Sequence, residues 1–429
     1  MKACEELEAL RSGKLGLLSY LDSVCSLIEK EDPVIHALVP GTYGRKRIIS
    51  DAGRLLHDFP KQESRPALFG LPLGVKDIIS VKGFPTRCGS KLPQHLFEGA
   101  EASCVTRLKQ AGALVMGKTV TTEFAGFEPG PTRNPYNPGH TPGGSSSGSA
   151  AGVSRGFFQL ALGTQTAASV IRPAAYCGVV GFKPSFGRIA LDGILPFSPS
   201  ADHVGFFCKD TSLLPIVSTV LIHDWEDRDN LPDLEKVKAG IPEGPYLSQA
   251  TENTVNFLNR AAAIMEEKGI SIVRFEALSN IEKINDFHMR MISGEMARVH
   301  GKWYSKYRDL YSPKTVEVIE KGLRVDNEEL QKLVSGRESV RDQIDREMNE
   351  HEIRFWLTPS ATDHAPEGLE STGSPIMSLP WTYAGMPAIS IPCGFDKAGL
   401  PHGLQIVGKF GEDELLVQFA QELSDMITG

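Results

Sequence analysis

The chain has 429 residues, 41% apolar and 23% charged, which is ordinary for a globular protein and enough for a large core within one α/β domain. Its 45 basic and 53 acidic residues leave a net charge of −8, which weighs against nucleic acid or an anionic membrane as the main partner. Seven scattered cysteines, none spaced like zinc ligands, point to free thiols in a reducing compartment, and so to the cytoplasm.

Residues 1–60 read as helical, because Leu7, Leu10, Leu15, Leu17, Leu18, Leu21, Val24 and Leu27 recur at roughly helical spacing among charged residues. The first residues carry acids early and lack a signal-peptide apolar stretch. No apolar run approaches the roughly 18 residues a membrane helix needs, and the best candidate, Leu213 to Ile222, is far too short. Leu68 to Ile79 predicts a buried strand entering a polar site. Ser103 to Gly112 predicts a short helix and Ala113 to Lys118 a buried strand, the alternation that builds a mixed or parallel sheet. Residues 128–149, rich in proline and glycine, read as a loop. Ser149 to Phe158 opens a helix on small residues, and Gly178 to Pro184 returns to strand. Residues 250–350 read as mostly charged helix, with Leu330, Leu333, Val340, Ile344 and Met348 keeping a helical period. Ile353 to Leu357, Ala388 to Pro392 and Leu404 to Gly408 return as strands. The expectation is one α/β domain over 1–429, a central mixed β-sheet covered by helices. A helical N-terminal region (1–60) precedes a catalytic core (66–210) and a helical cover (250–350), and C-terminal strands (353–429) complete the sheet.

Three short stretches carry the chemistry. Pro142 to Gly152 and Leu162 to Ala175 are runs of tiny residues holding Ser145 and Ser169, 24 positions apart. Such runs suggest outward-facing backbone N–H groups, as a hydrolase needs where a carbonyl oxygen becomes an oxyanion. Upstream, Lys76 interrupts the apolar run Gly70 to Ile79. Apolar flanks disfavour a charged lysine, and a neutral one can accept a proton near neutral pH. On the residues alone, Ser169 reads equally as a turn serine and Lys76 as a buried stem reaching water. Ser145, Ser146 and Ser147 compete for a role between them.

In order and spacing these pieces resemble the amidase signature family of serine amidohydrolases, with Gln165, Ala167 and Ala168 where that family usually has Asp, Gly and Gly. The Gln165 form and the order Ser169-Val170-Ile171-Arg172-Pro173 look closest to a malonamidase-like branch. The resemblance implies the amidase signature fold and a Ser-cisSer-Lys triad, with Ser169 as nucleophile, Ser145 as relay beside a cis peptide bond, and Lys76 as base. It implies an oxyanion hole from the N–H groups of Thr166, Ala167, Ala168 and Ser169. A left-handed backbone there would cost alanine about 1 kcal/mol or more. It further implies a substrate-binding Arg172, suited to a carboxylate, and Trp381 in the substrate wall. The competing expectations are that Arg172 braces the loop and that Trp381 is core. Thr164 and Gln165 are expected to brace the loop, and His140 and His203 to be loop hydrogen-bonders. No metal or organic cofactor is implied. The partner expected is a small amide or carbamate (urethane), with no nucleic acid and no membrane; a homodimer is compatible with this.

Two other readings compete. Gly144 to Gly148 matches Gly-x-Ser-x-Gly, the nucleophile elbow of α/β-hydrolases, with Ser146 attacking, but Pro138 to Pro142 stand where the elbow needs a strand. The resembling family also includes the glutaminase component of a tRNA-dependent amidotransferase, which works with partner chains.

Overall fold

The computed structural model describes residues 1–226 and 237–428. The N-terminal leucine pattern forms α1 (Ala3–Arg11), α2 (Leu17–Ile35) and α3 (Arg45–Asp58). β1 (Pro72–Lys76) is shorter than the apolar run around it. After it come α4 (Ser103–Gln110), β2 (Leu114–Thr119), α5 (Ser147–Ser154), β3 (Leu160–Gln165), α6 (Ile171–Tyr176), β4 (Val180–Lys183), β5 (His203–Cys208) and α7 (Leu214–Leu221). The second half supplies β6 (Lys238–Glu243), α8 (Glu252–Glu267), β7 (Ser271–Glu276), α9 (Ile281–Tyr307), α10 (Pro313–Gly322) and α11 (Asn327–Glu350). β8 (Phe355–Pro359), α12 (Leu379–Tyr383), β9 (Ala388–Phe395), β10 (Pro401–Val407) and α13 (Asp413–Thr428) close the chain.

The ten described strands make one mixed sheet in the order β2-β1-β3-β5-β4-β9-β10-β8-β6-β7, and with the helices around it they form a single large α/β domain. Pairing is parallel at the two ends (β2-β1-β3 and β8-β6-β7) and antiparallel between. The C-terminal strands thus enter the middle of the sheet: β9 pairs with β4, and β10 lies between β9 and β8. The charged stretch 250–350 contains the edge strand β7, absent from the helical reading.

One apolar cluster joins the N-terminal helices to the catalytic half. Leu21 and Ile28 of α2 pack with Ala150 and Ala151 of α5 and with Phe158. Small residues in α5 permit this approach. A Cβ at Gly148 would lie 2.1 Å from the Ala37 carbonyl oxygen, and one at Gly152 would lie 2.1 Å from the Phe158 ring. No described helix is long and apolar enough to cross a membrane, and all seven cysteines are free thiols.

Candidate active site

Lys76 ends β1 and is carried beside β3 by the parallel register that pairs Val75 with Leu162. Its side chain is fully buried. Nζ donates to Ser145 Oγ at 2.7 Å and to Thr164 Oγ1 at 2.8 Å, with the Thr164 carbonyl oxygen at 3.4 Å. Burial pushes its amino group well below the usual 10.5, and the Asp202 charge opposes this only in part. A buried lysine held by two neutral hydroxyls is a base rather than a salt-bridge partner.

Ser145 sits where the loop enters α5. The preceding Gly143 has a left-handed φ of 80°, and the Gly144–Ser145 peptide bond is cis. The neighbouring serines face elsewhere. Ser146 Oγ donates to the Thr164 carbonyl at 3.2 Å and accepts from its N–H at 3.3 Å. Ser147 Oγ donates to the Val120 carbonyl at 3.2 Å. Of the three competing serines only Ser145 meets the lysine. Residues 141–146 form no strand, so the elbow reading lacks its scaffold.

Ser169 lies on the loop between β3 and α6 and is 7% exposed. Its Oγ hydrogen-bonds to no described residue. The N–H groups of Thr166, Ala167, Ala168 and Ser169 likewise donate to none. The reason lies in the carbonyls, because C=O and N–H of one trans peptide point in opposite directions. The Gln165 carbonyl oxygen lies 3.3 Å from His203 Nδ1, and the Thr166 carbonyl 2.8 Å from His288 Nε2. The Ala167 carbonyl accepts from Thr382 Oγ1 at 2.7 Å, and that of Ala168 from the Arg172 N–H at 3.0 Å. Four successive carbonyls are drawn into the protein, so four successive N–H groups turn the other way. Gln165 fixes the curvature: Oε1 accepts from Val170 and Ile171 N–H at 2.8 and 3.0 Å, and Nε2 donates to Thr382 Oγ1 at 2.9 Å. Neither Ala167 nor Ala168 has a positive φ, so alanine in place of glycine carries no left-handed cost here.

Several of these supports were not visible in the sequence. His288 comes from α9, and burial pushes it down to about 4, so it is a neutral ring. Asp202, buried behind the loop, accepts from Thr166 Oγ1 at 2.5 Å and from Phe197 and Ser198 N–H, and burial pushes it up to about 6. His140 and His203 do act as loop hydrogen-bonders: each Nδ1 approaches a backbone carbonyl, Ala365 at 2.8 Å and Ala201 at 2.6 Å.

Arg172 is buried, and its Nη atoms donate inward to Gly373 O at 2.6 Å, Gly144 O at 2.7 Å and Thr372 Oγ1 at 2.9 Å. It joins the loop after Ser169 to the peptide before Ser145. With no carboxylate against it, burial pushes it down to about 10. Trp381 corrects the expectation of a substrate wall. It has no exposed surface, and its Nε1 donates to Tyr246 OH at 2.9 Å among core aromatics, where a substrate cannot touch it. A separate cleft of about 640 Å³ beside α9 and α10, lined by Phe127, Met289, Val318 and Val325, includes none of Lys76, Ser145 and Ser169.

The mixed sheet and the two serine loops define an amidase-signature hydrolase. The chain belongs to the Amidase family, whose model matches residues 21–417. It is 29% identical to the glutamyl-tRNA(Gln) amidotransferase subunit of this family from Lachnospira eligens, with 96% of each chain covered. It is 30% identical to the corresponding protein of a Synechococcus strain, covering 98% of this chain and 96% of that one. A crystal structure of an amidase superposes with a TM-score of 0.90 at 28% identity, covering both chains completely. The fold is also that of the native peptide amidase from Stenotrophomonas maltophilia, with TM-score 0.82, 23% identity, and 98% and 96% of the two chains covered.

Proposed function

We propose that this chain hydrolyses the carbonyl–nitrogen bond of a small amide or carbamate through an acyl-enzyme on Ser169. The observation that carries the reading is the buried Lys76 amine, 2.7 Å from Ser145 Oγ, beside a loop of four N–H groups without protein acceptors. Neutral Lys76 takes a proton from Ser145, which takes one from Ser169. Ser169 Oγ bonds to the carbonyl carbon, and the N–H groups of residues 166–169 hold the oxyanion. As the carbon–nitrogen bond breaks, the proton returns through Ser145 to the leaving amine. Water then attacks the acyl-enzyme by the same relay and frees the acid. With a carbamate the acyl-enzyme is a carbamoyl or carbonate ester, depending on which side leaves. The Ser169 hydroxyl, unbonded here, needs only to turn toward Ser145, a contact that commonly tightens once substrate binds. The free thiols support a cytoplasmic setting.

A second reading is favoured by the relatives that are amidotransferase components: glutamine as the amide, with ammonia delivered to a partner chain. Assaying the purified chain alone on amides, aryl amides, esters, carbamates and glutamine separates the two. Turnover of small amides or carbamates without any partner supports the first. Glutamine-dependent ammonia transfer that appears only with co-purified chains replaces it with the second.

A further inference from the structure

The segment that receives Arg172 is held at its other end by polar side chains outside the proposed chemistry. After β8 the chain crosses over the loop leading to Ser145. The Pro366 carbonyl accepts from Thr141 N–H at 3.1 Å, Gly368 N–H donates to Gly139 O at 2.8 Å, and Thr372 and Gly373 accept from Arg172. Where this segment begins, Asp363 and His364 converge with His402 of β10, and one ligand atom from each lies within 4.8 Å of the others. His364 Nδ1 is 3.3 Å from Asp363 Oδ1 and 3.1 Å from Asp396 Oδ2, yet this buried atom makes a hydrogen bond with neither. Asp396 is aimed: its Oδ1 accepts from Ala398 and Leu400 N–H at 2.8 and 2.9 Å, leaving Oδ2 toward His364. His402 is buried and fixed by stacking on Phe257 at 4.1 Å between ring centres. Burial pushes it down to about 4, which keeps its imidazole neutral and able to ligate.

Two imidazoles and two carboxylates are a donor set suited to zinc. With bonds of about 2.0–2.1 Å, tetrahedral ligand atoms stand about 3.3 Å apart. The two carboxylate oxygens already stand at that distance from His364 Nδ1, where they are geometrically poor hydrogen-bond acceptors. We propose that Asp363, His364 and His402, with Asp396 beside them, bind one zinc-class divalent ion that fastens the 361–373 segment over the loop leading to Ser145. The ion's role is structural, so this inference stands apart from the reaction proposed above.

The test uses the full, untagged chain, stripped with EDTA and dialysed, then titrated with ZnCl2 by calorimetry and with CoCl2 by visible absorption. One zinc per chain is expected, with a Co²⁺ spectrum of a four- or five-coordinate site and a zinc-dependent rise in Tm. Asp363→Asn and His364→Ala alter half-buried side chains, and His402→Gln replaces the buried ligand conservatively. Each should weaken zinc by at least about 100-fold, the upper end of what losing a mere supporting partner costs, and abolish the rise in Tm. Absence of zinc binding, or equal binding by wild type and the Asp363 and His364 variants, overturns the site. Binding without a rise in Tm overturns the fastening role.

Discussion

Arg172→Ala discriminates most sharply between a substrate-gripping and a loop-bracing arginine. The guanidinium gives three short hydrogen bonds to neutral acceptors on two loops, Gly144 on one side and Thr372 and Gly373 on the other. Hydrogen bonds to a charged group contribute about 1.5–3 kcal/mol each, so the gross loss is about 4.5–9 kcal/mol. Removing a buried charge without a counter-ion offsets part of that, leaving a net destabilisation of about 3–5 kcal/mol, the range seen when buried ionic contacts are broken. At about 2.1 cal/mol/K per residue, a chain of 429 residues has an unfolding entropy near 0.9 kcal/mol/K, so Tm should fall by about 3–5 °C. The Gly144 carbonyl belongs to the peptide that carries Ser145, so its release should misplace the relay. kcat/KM should then drop by about 100-fold for neutral and acid-bearing substrates alike. Arg172→Lys, able to restore one contact but not the fork, should recover part of both losses. The assay is thermal unfolding by circular dichroism with kinetics on a matched pair of neutral and carboxylate-bearing amides. An unchanged Tm with a 10- to 150-fold rise in KM confined to the acidic amide would refute the bracing account and give Arg172 to the substrate.

Lys76 should set the acid limb of the rate profile: kcat/KM for amides rises with pH through an apparent pKa well below 10.5, and Lys76→Ala removes both the limb and the activity. Its depressed pKa also makes a stability prediction. The unfolded chain holds more protons between the folded pKa and 10.5, so wild-type stability rises with pH across that window. Lys76→Met should therefore be the more stable protein by urea unfolding at low pH, with the difference closing toward 10.5; a pH-independent difference contradicts a neutral buried amine. His288→Ala frees the Thr166 carbonyl and lets the loop relax, so kcat should fall about 10-fold or more for amides and esters with little change in KM; an unaffected kcat removes His288 from the support of that loop. Ser146→Ala unpairs the Thr164 backbone and should cost about 1–3 kcal/mol in urea unfolding while keeping most activity; complete loss of turnover with intact folding would revive Ser146 as nucleophile.

The sequence was most legible where the signal is local. Leucine periodicity marked α2 and α11, and short apolar runs marked β2, β8, β9 and β10. β7 was hidden because Ser271–Glu276 is an edge strand whose half-exposed, partly charged residues look like the helices around it. α5 starts at Ser147, two residues earlier than expected, because Ser147 and Ser149 bond to backbone carbonyls of Val120 and Leu162 rather than remaining in a loop. Lys76, Ser145 and Ser169 could be picked out by composition and resemblance. What holds them could not, since Thr164, His288, Thr382 and the acceptors of Arg172 join the site only through sheet pairing and loop packing across 88 to 215 positions of chain. Trp381 shows the same limit: whether an aromatic lines a pocket or fills the core depends on Tyr246 and Trp356, far away in the chain.

The central claim, an acyl-enzyme on Ser169, is tested most directly by labelling the native chain with a fluorophosphonate and locating the adduct by peptide mass spectrometry. The account predicts one phosphonyl group per chain on Ser169, with labelling lost in Ser169→Ala and slowed in Lys76→Ala. An adduct on Ser146, or labelling of Ser169 at an undiminished rate without Lys76, would contradict it.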